Sequence, residues 1–133
     1  RKRLLPVEVV LAFLVVLEVG QIFWFRFVAD IGDDPLTHQT LLAYISDKAL
    51  MGTGIRPHQM DFFSHKLMGA SLDHAMWFHS DIRVDDWVYY HLDSPKSYRA
   101  RTFNRGSFYT QSGELIASTA QEGLFRLIRD KKD

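Results

Sequence analysis

The stretch PLTHQTLLAYISDKALM, Pro35 to Met51, reads as one long apolar helix. Asp34 before it can cap the first turn, because its carboxylate accepts from unpaired N–H groups there. Pro35 follows at the first helical position, where a missing N–H costs nothing. Leu41, Leu42, Ile45 and Ala49 recur at helical spacing, and Leu36, Ala43, Tyr44 and Leu50 widen the stripe. Gly52 and Gly54 are expected to end the helix. A helix apolar on so many sides should be mostly buried. Asp47 breaks the pattern, with Ala43, Tyr44, Leu50 and Met51 around it. Near a helix C-terminus it would face the negative end of the dipole, and beside apolar side chains it would be desolvated. Two readings stand: an acid that escapes to solvent at a fraying end, or one placed for chemistry.

Before the helix, Arg1-Lys2-Arg3 and the apolar run after them resemble a signal peptide or anchor. The uninterrupted part, Val9 to Leu17, is short of the roughly 20 residues that a spanning helix needs. Glu8 and Glu18 bracket it, and no small-residue cleavage site follows. A buried strand from Pro6 to about Leu14 is the preferred reading. Gly20 marks a turn. In QIFWFRFVA, Gln21 to Ala29, Phe23, Phe25 and Phe27 share one strand face, and Trp24, Arg26 and Val28 share the other.

After the helix, Thr53 to Gly69 shows no period and reads as a connection. His58, Asp61 and His65 lie in it, but their spacing matches no ligand motif, so no metal is expected. Strands follow: Ser71 to His79, Trp87 to Leu92, Tyr98 to Tyr109, and Leu115 to about Leu127. Taken alone, Leu115 to Ile128 could be a helix, and a hairpin with the strand before it is the better fit. Asp93-Ser94-Pro95 is the expected turn between the second and third of these strands. Gln111-Ser112-Gly113 is the expected hairpin turn before the last. Gly123 within the last strand suggests a bulge or close backbone approach. The charged tail Arg129 to Asp133 should fray.

Two strands, one long apolar helix and then antiparallel strands fit an α+β hotdog fold, a curved antiparallel sheet wrapped around a central helix at about residues 35–51. The length of 133 residues fits a single domain, 1–133. Lys and Arg together number 16, as do Asp and Glu, so no net field points to nucleic acid. Cysteine is absent, which excludes disulfides and thiolate chemistry.

Several constellations fail as sites. Ser71, Asp73 and His74 look like a triad, but neighbours on a strand point to opposite faces. By the same parity His74 and His79 cannot share a metal. There is no nucleophile elbow and no phosphate-binding glycine loop. What remains are polar residues on apolar elements: Asp47, Ser71, Thr119 and Gln121. Gln121 shares a strand face with the small residues Ala117, Thr119 and Gly123, leaving room for a ligand or for a close neighbour.

The segments AYISD (43–47), SLDHAMWFH (71–79), DSP (93–95), RGSFYTQSGELIAS (105–118) and AQEGLFR (120–126) resemble the C-terminal half of type II acyl-CoA thioesterases. These are the bacterial thioesterase II and peroxisomal acyl-CoA thioesterase enzymes, and the resemblance runs from about Phe23 to Arg126. It implies two hotdog modules per chain, with this one corresponding to the second. It implies hydrolysis of fatty acyl-CoA to fatty acid and CoA, a role in lipid metabolism, and no cofactor. It places the family's catalytic Asp on Asp47, its hydroxyl residue on Ser71 and its Gln on Gln121. Asp47 would act as general base toward water, with Ser71 and Gln121 orienting that water. Arg99, Arg101 and Arg105, read as one strand face with Lys96 nearby, are weaker candidates for the CoA phosphates.

The departures from the family are a missing first module and an opening strand, Val7 to Val19, that is unusually apolar. They imply a homodimer, a higher even oligomer or a second hotdog module as partner, with no membrane or nucleic acid. The chain alone is then expected to be weakly active or inactive. The compartment implied is intracellular, peroxisomal or cytoplasmic, although Lys131-Lys132-Asp133 is no Ser-Lys-Leu signal. A non-catalytic pairing module is the alternative function. An enoyl-CoA hydratase ranks third, because no His follows Asp47 at a suitable distance.

Overall fold

The computed structural model describes residues 9–16, 20–55 and 67–127. The elements in chain order are β1 (Val9–Val16), β2 (Gly20–Phe27), α1 (Pro35–Ile55), β3 (Leu67–Ser71), β4 (Ala75–Phe78), β5 (Val88–Tyr98), β6 (Arg101–Thr110) and β7 (Leu115–Leu127). All strand pairs are antiparallel, in the order β1-β2-β5-β6-β7-β3, with β4 also on β7. The sheet curls around α1, which is the hotdog fold. No described helix is long and apolar enough to cross a membrane. His58, Asp61, His65 and the tail from Arg129 lie outside the described residues.

Alternation decides which side chains line the concave face. Phe25 and Phe27 of β2, Val88, Tyr90 and Leu92 of β5, and Phe108 of β6 are buried there beneath α1. The rings of Tyr90 and Phe108 stack at 3.9 Å, and Phe25 meets Phe108 edge-on. From the helix, Leu42 and Leu50 are fully buried, each contributing about 2 kcal/mol by removal from water. His38 is also buried. One ring nitrogen faces Gly32 O at 2.7 Å, and the other accepts from the Val84 N–H at 3.1 Å. Asp34 caps the helix through the Leu36 N–H, as its sequence position led us to expect.

Several local expectations are corrected. The helix does not stop at Gly52 and Gly54 but runs to Ile55. Gly54 serves contact instead: a Cβ there would lie 2.5 Å from Thr102 Oγ1 and 2.7 Å from Asn104 Oδ1. Only glycine lets the helix sit this close to β6. Nor is the helix buried all round, since Leu36 and Tyr44 are exposed. Gly20 opens β2 and is not a turn residue.

Asp93-Ser94-Pro95 does not turn the chain. It lies within β5 where the register with β6 shifts, and a bulge tolerates a residue lacking an N–H. The turn falls at Arg99-Ala100, both at positive φ, as a two-residue hairpin requires. The expected strand Ser71–His79 is two strands, interrupted at 72–74. The bulge in β7 falls near Ile116, not at Gly123. The turn before β7 is where it was expected, with Gly113 at φ 91.

Candidate active site

Gln121 is fully buried near the middle of β7, on the concave face with Thr119. Its amide Nε2 donates to the Ser71 hydroxyl at 2.7 Å. Its carbonyl Oε1 lies 2.5 Å from His74 Nδ1. Asp47, on α1, has Oδ1 4.0 Å from the same Nδ1. His74 Nε2 faces Ser46 Oγ at 2.9 Å and Thr119 Oγ1 at 3.3 Å. Side chains from α1, the end of β3, the 72–74 break and β7 therefore form one connected polar set.

The break explains how Ser71 and His74 both reach Gln121. Ser71 pairs with Gly123 and Ala75 with Ala120, so Leu72, Asp73 and His74 lie opposite Gln121 and Glu122. The extra residue is a bulge, and it cancels the parity that alternation would impose. Asp73 holds it in place by accepting the Glu122 N–H at 2.7 Å, where a strand carbonyl would otherwise bond. This corrects the expectation that alternation separates Ser71 from His74. Ser71, Asp73 and His74 still form no relay, because Asp73 is turned to the backbone of β7.

Asp47 is not where the helix pattern suggested. Its side chain is 60% exposed, and α1 continues two turns beyond it. The dipole penalty acts within the last turn, so neither strain expected of this acid is present. Its neighbour Ser46 is fully buried, with its hydroxyl 2.6 Å from Ala43 O and its carbonyl accepting from the Tyr90 hydroxyl at 2.7 Å. Burial, and after it the charge of Asp47, pushes the Tyr90 hydroxyl well above the ordinary tyrosine range, so it remains a donor. Ser46 and His74 were not singled out as site residues by the sequence. Only the partner strand's register reveals the His74 position.

The three arginines do not share one face. Arg99 sits in the β5–β6 turn, its guanidinium over the Tyr98 ring. Arg101 lies 3.5 Å from Glu122, and Arg105 bonds both carboxylate oxygens of Asp93 at 2.9 and 2.6 Å.

The family model described as Acyl-CoA thioesterase matches residues 15–124. The chain belongs to the acyl-CoA thioesterase family. Among its relatives, human acyl-coenzyme A thioesterase 8 is 40% identical over 112 residues, covering 84% of this chain and 34% of the relative. Acyl-CoA thioesterase 2 of Haemophilus influenzae is 34% identical over 110 residues, covering 83% of this chain and 38% of the relative. The crystal structure of an acyl-CoA thioesterase II from Mycobacterium marinum superposes with a TM-score of 0.78 at 38% identity. It covers 91% of this chain and 49% of that one. The chain thus spans about a third of the curated acyl-CoA thioesterases it matches and half of the solved one.

Proposed function

We propose that the chain is an acyl-CoA thioesterase module that hydrolyses fatty acyl-CoA to a free fatty acid and CoA. The observation that carries this reading is the bonding of buried Gln121 to Ser71, with Asp47 brought beside it through His74. A thioester carbonyl is activated toward attack, so the site needs an oriented water and charge stabilisation more than a strong nucleophile. Asp47 is exposed enough to meet water and acts as general base. The Ser71 hydroxyl and the Gln121 amide orient that water. The water oxygen adds to the carbonyl carbon, Asp47 takes its proton, and the C–S bond breaks to release the CoA thiolate. Backbone N–H groups are the natural oxyanion donors.

The share of its relatives that the chain covers supports the reading of a single hotdog domain that stands for the C-terminal half of a two-module enzyme. Its partner is a second hotdog module, or a second copy in a homodimer or higher even oligomer. The exposed apolar side chains Trp77 and Phe78 on edge strand β4 favour such pairing. A peroxisomal or cytoplasmic location rests on the family resemblance. CoA release from palmitoyl-CoA, by the chain alone and with a separately made N-terminal half, tests the activity. No turnover in either form would leave a non-catalytic pairing module. Light scattering that shows only monomer at micromolar concentration would overturn self-pairing.

A further inference from the structure

We propose that His74 is a positioning residue of this site, aiming the Gln121 amide at Ser71 and tying it to the helical turn that carries Asp47. Its kinetic consequence rests on the thioesterase reading above, whereas its hydrogen bonding does not. A glutamine amide is nearly symmetric in shape, so packing alone does not choose which end meets Ser71. His74 makes the choice. The carbonyl Oε1 of Gln121 can only accept, so an Nδ1–H of the ring, 2.5 Å away, holds the amide in this orientation, whereas a ring with its hydrogen on Nε2 alone would take the amide N–H on Nδ1 and turn the carbonyl to Ser71. The Nδ1–H leaves the amide Nε2 pointing at Ser71 Oγ, 2.7 Å away.

The other ring nitrogen holds the imidazole in register. Nε2 faces Ser46 Oγ on α1 at 2.9 Å and Thr119 Oγ1 on β7 at 3.3 Å. Those hydroxyls donate their own hydrogens to backbone carbonyls, Ser46 to Ala43 O at 2.6 Å and Thr119 to Ala75 O at 2.9 Å, so both accept from Nε2 and the arrangement places a hydrogen on each ring nitrogen. The ring is thus held from the helix and from the sheet. Asp47, one residue beyond Ser46, lies 4.0 Å from Nδ1. The ring stands between the general base and the amide. A shift of that ring turns the amide away from Ser71, and displacement of about 1 Å in such a set is enough to cost on the order of a hundredfold in rate.

Substitutions at His74 and nitrogen-15 spectra test this. Asn places an amide nitrogen where Nδ1 sits, Gln places one nearer Nε2, and Ala supplies neither. In whichever assembly shows wild-type turnover, His74→Ala should lower kcat about 10–100-fold, with KM changed less than about threefold. His74→Asn should recover most of the loss and His74→Gln little. Adding His74→Ala to Gln121→Ala should cost nothing further, because both changes remove the same aimed amide. Additive losses, an effect carried by KM, or equal rescue by Gln would overturn the proposal. Nitrogen-15 spectra of the wild-type imidazole should show a proton on Nδ1, and His74→Ala should move the Gln121 side-chain amide signals. A ring protonated on Nε2 alone, or unmoved amide signals, would overturn it whether or not the protein turns over. Absence of wild-type hydrolysis in every assembly would sink the thioesterase reading, while the spectra still decide the role of His74.

Discussion

The amide of Gln121 donates to the hydroxyl of Ser71 at 2.7 Å, 50 residues away in sequence. The bond joins the middle of β7 to the last residue of β3, and nothing local in the chain requires it. Replacing Gln121 with Leu keeps the volume and removes the amide. Ser71 is exposed and His74 partly so, and both can turn to water. Stability should therefore change by no more than about 1 kcal/mol. Turnover should fall about a hundredfold, on the scale of losing an aimed hydrogen-bond donor. Chemical denaturation and kcat on one preparation check the pair, and unchanged kcat would remove Gln121 from the site.

Asp47→Asn should leave the fold as stable as before, within about 0.5 kcal/mol, because the side chain is mostly exposed. No stability gain is expected, since the burial and dipole strain that would supply one are absent. Activity should fall about a hundredfold or more if Asp47 takes the proton from water. Thermal melts beside steady-state kinetics separate the two effects. A lowered Tm with kcat intact would make Asp47 structural.

Gly54→Ala should destabilise the chain although it raises helix propensity. The propensity gain is about 1 kcal/mol. Against it, the new methyl would lie 2.5 Å from Thr102 Oγ1 and 2.7 Å from Asn104 Oδ1. Parting helix and sheet to admit it costs about 1–3 kcal/mol, so the net effect is a lower Tm. An unchanged or raised Tm would show that α1 can lift from β6 without cost.

Among the arginines, Arg99 is the one expected to meet a CoA phosphate if the chain binds acyl-CoA. Arg105 already fills its fork with Asp93, and Arg101 lies beside Glu122. Arg99→Gln should raise KM for acyl-CoA about threefold at unchanged kcat, the scale of one exposed ionic contact. Arg105→Gln should leave KM within about twofold, since the pair it breaks is internal. The reverse order would place the phosphates on the outer sheet face.

Local periods were legible in the residues themselves. Alternation in β2 put Phe23, Phe25 and Phe27 on the face toward the helix, and Asp34-Pro35 marked where α1 begins. The turn at Gly113 was equally readable, because it depends on a few neighbouring residues, and through that turn β7 read as a strand where its own residues also allowed a helix. Family motifs carried Asp47, Ser71 and Gln121, but the residues alone did not say how they meet. That depended on the register of β7 against β3 and β4, which inserts one extra residue and turns His74 toward Gln121. Gly54 read as a helix stop because its neighbour across space, Thr102, is distant in sequence. Pro95 read as a turn because the bulge that accepts it belongs to a strand pair. Asp47 read as strained because its exposure depends on where the sheet ends and on how far α1 runs. In each case the deciding contact lies between elements, and a local period carries no record of it.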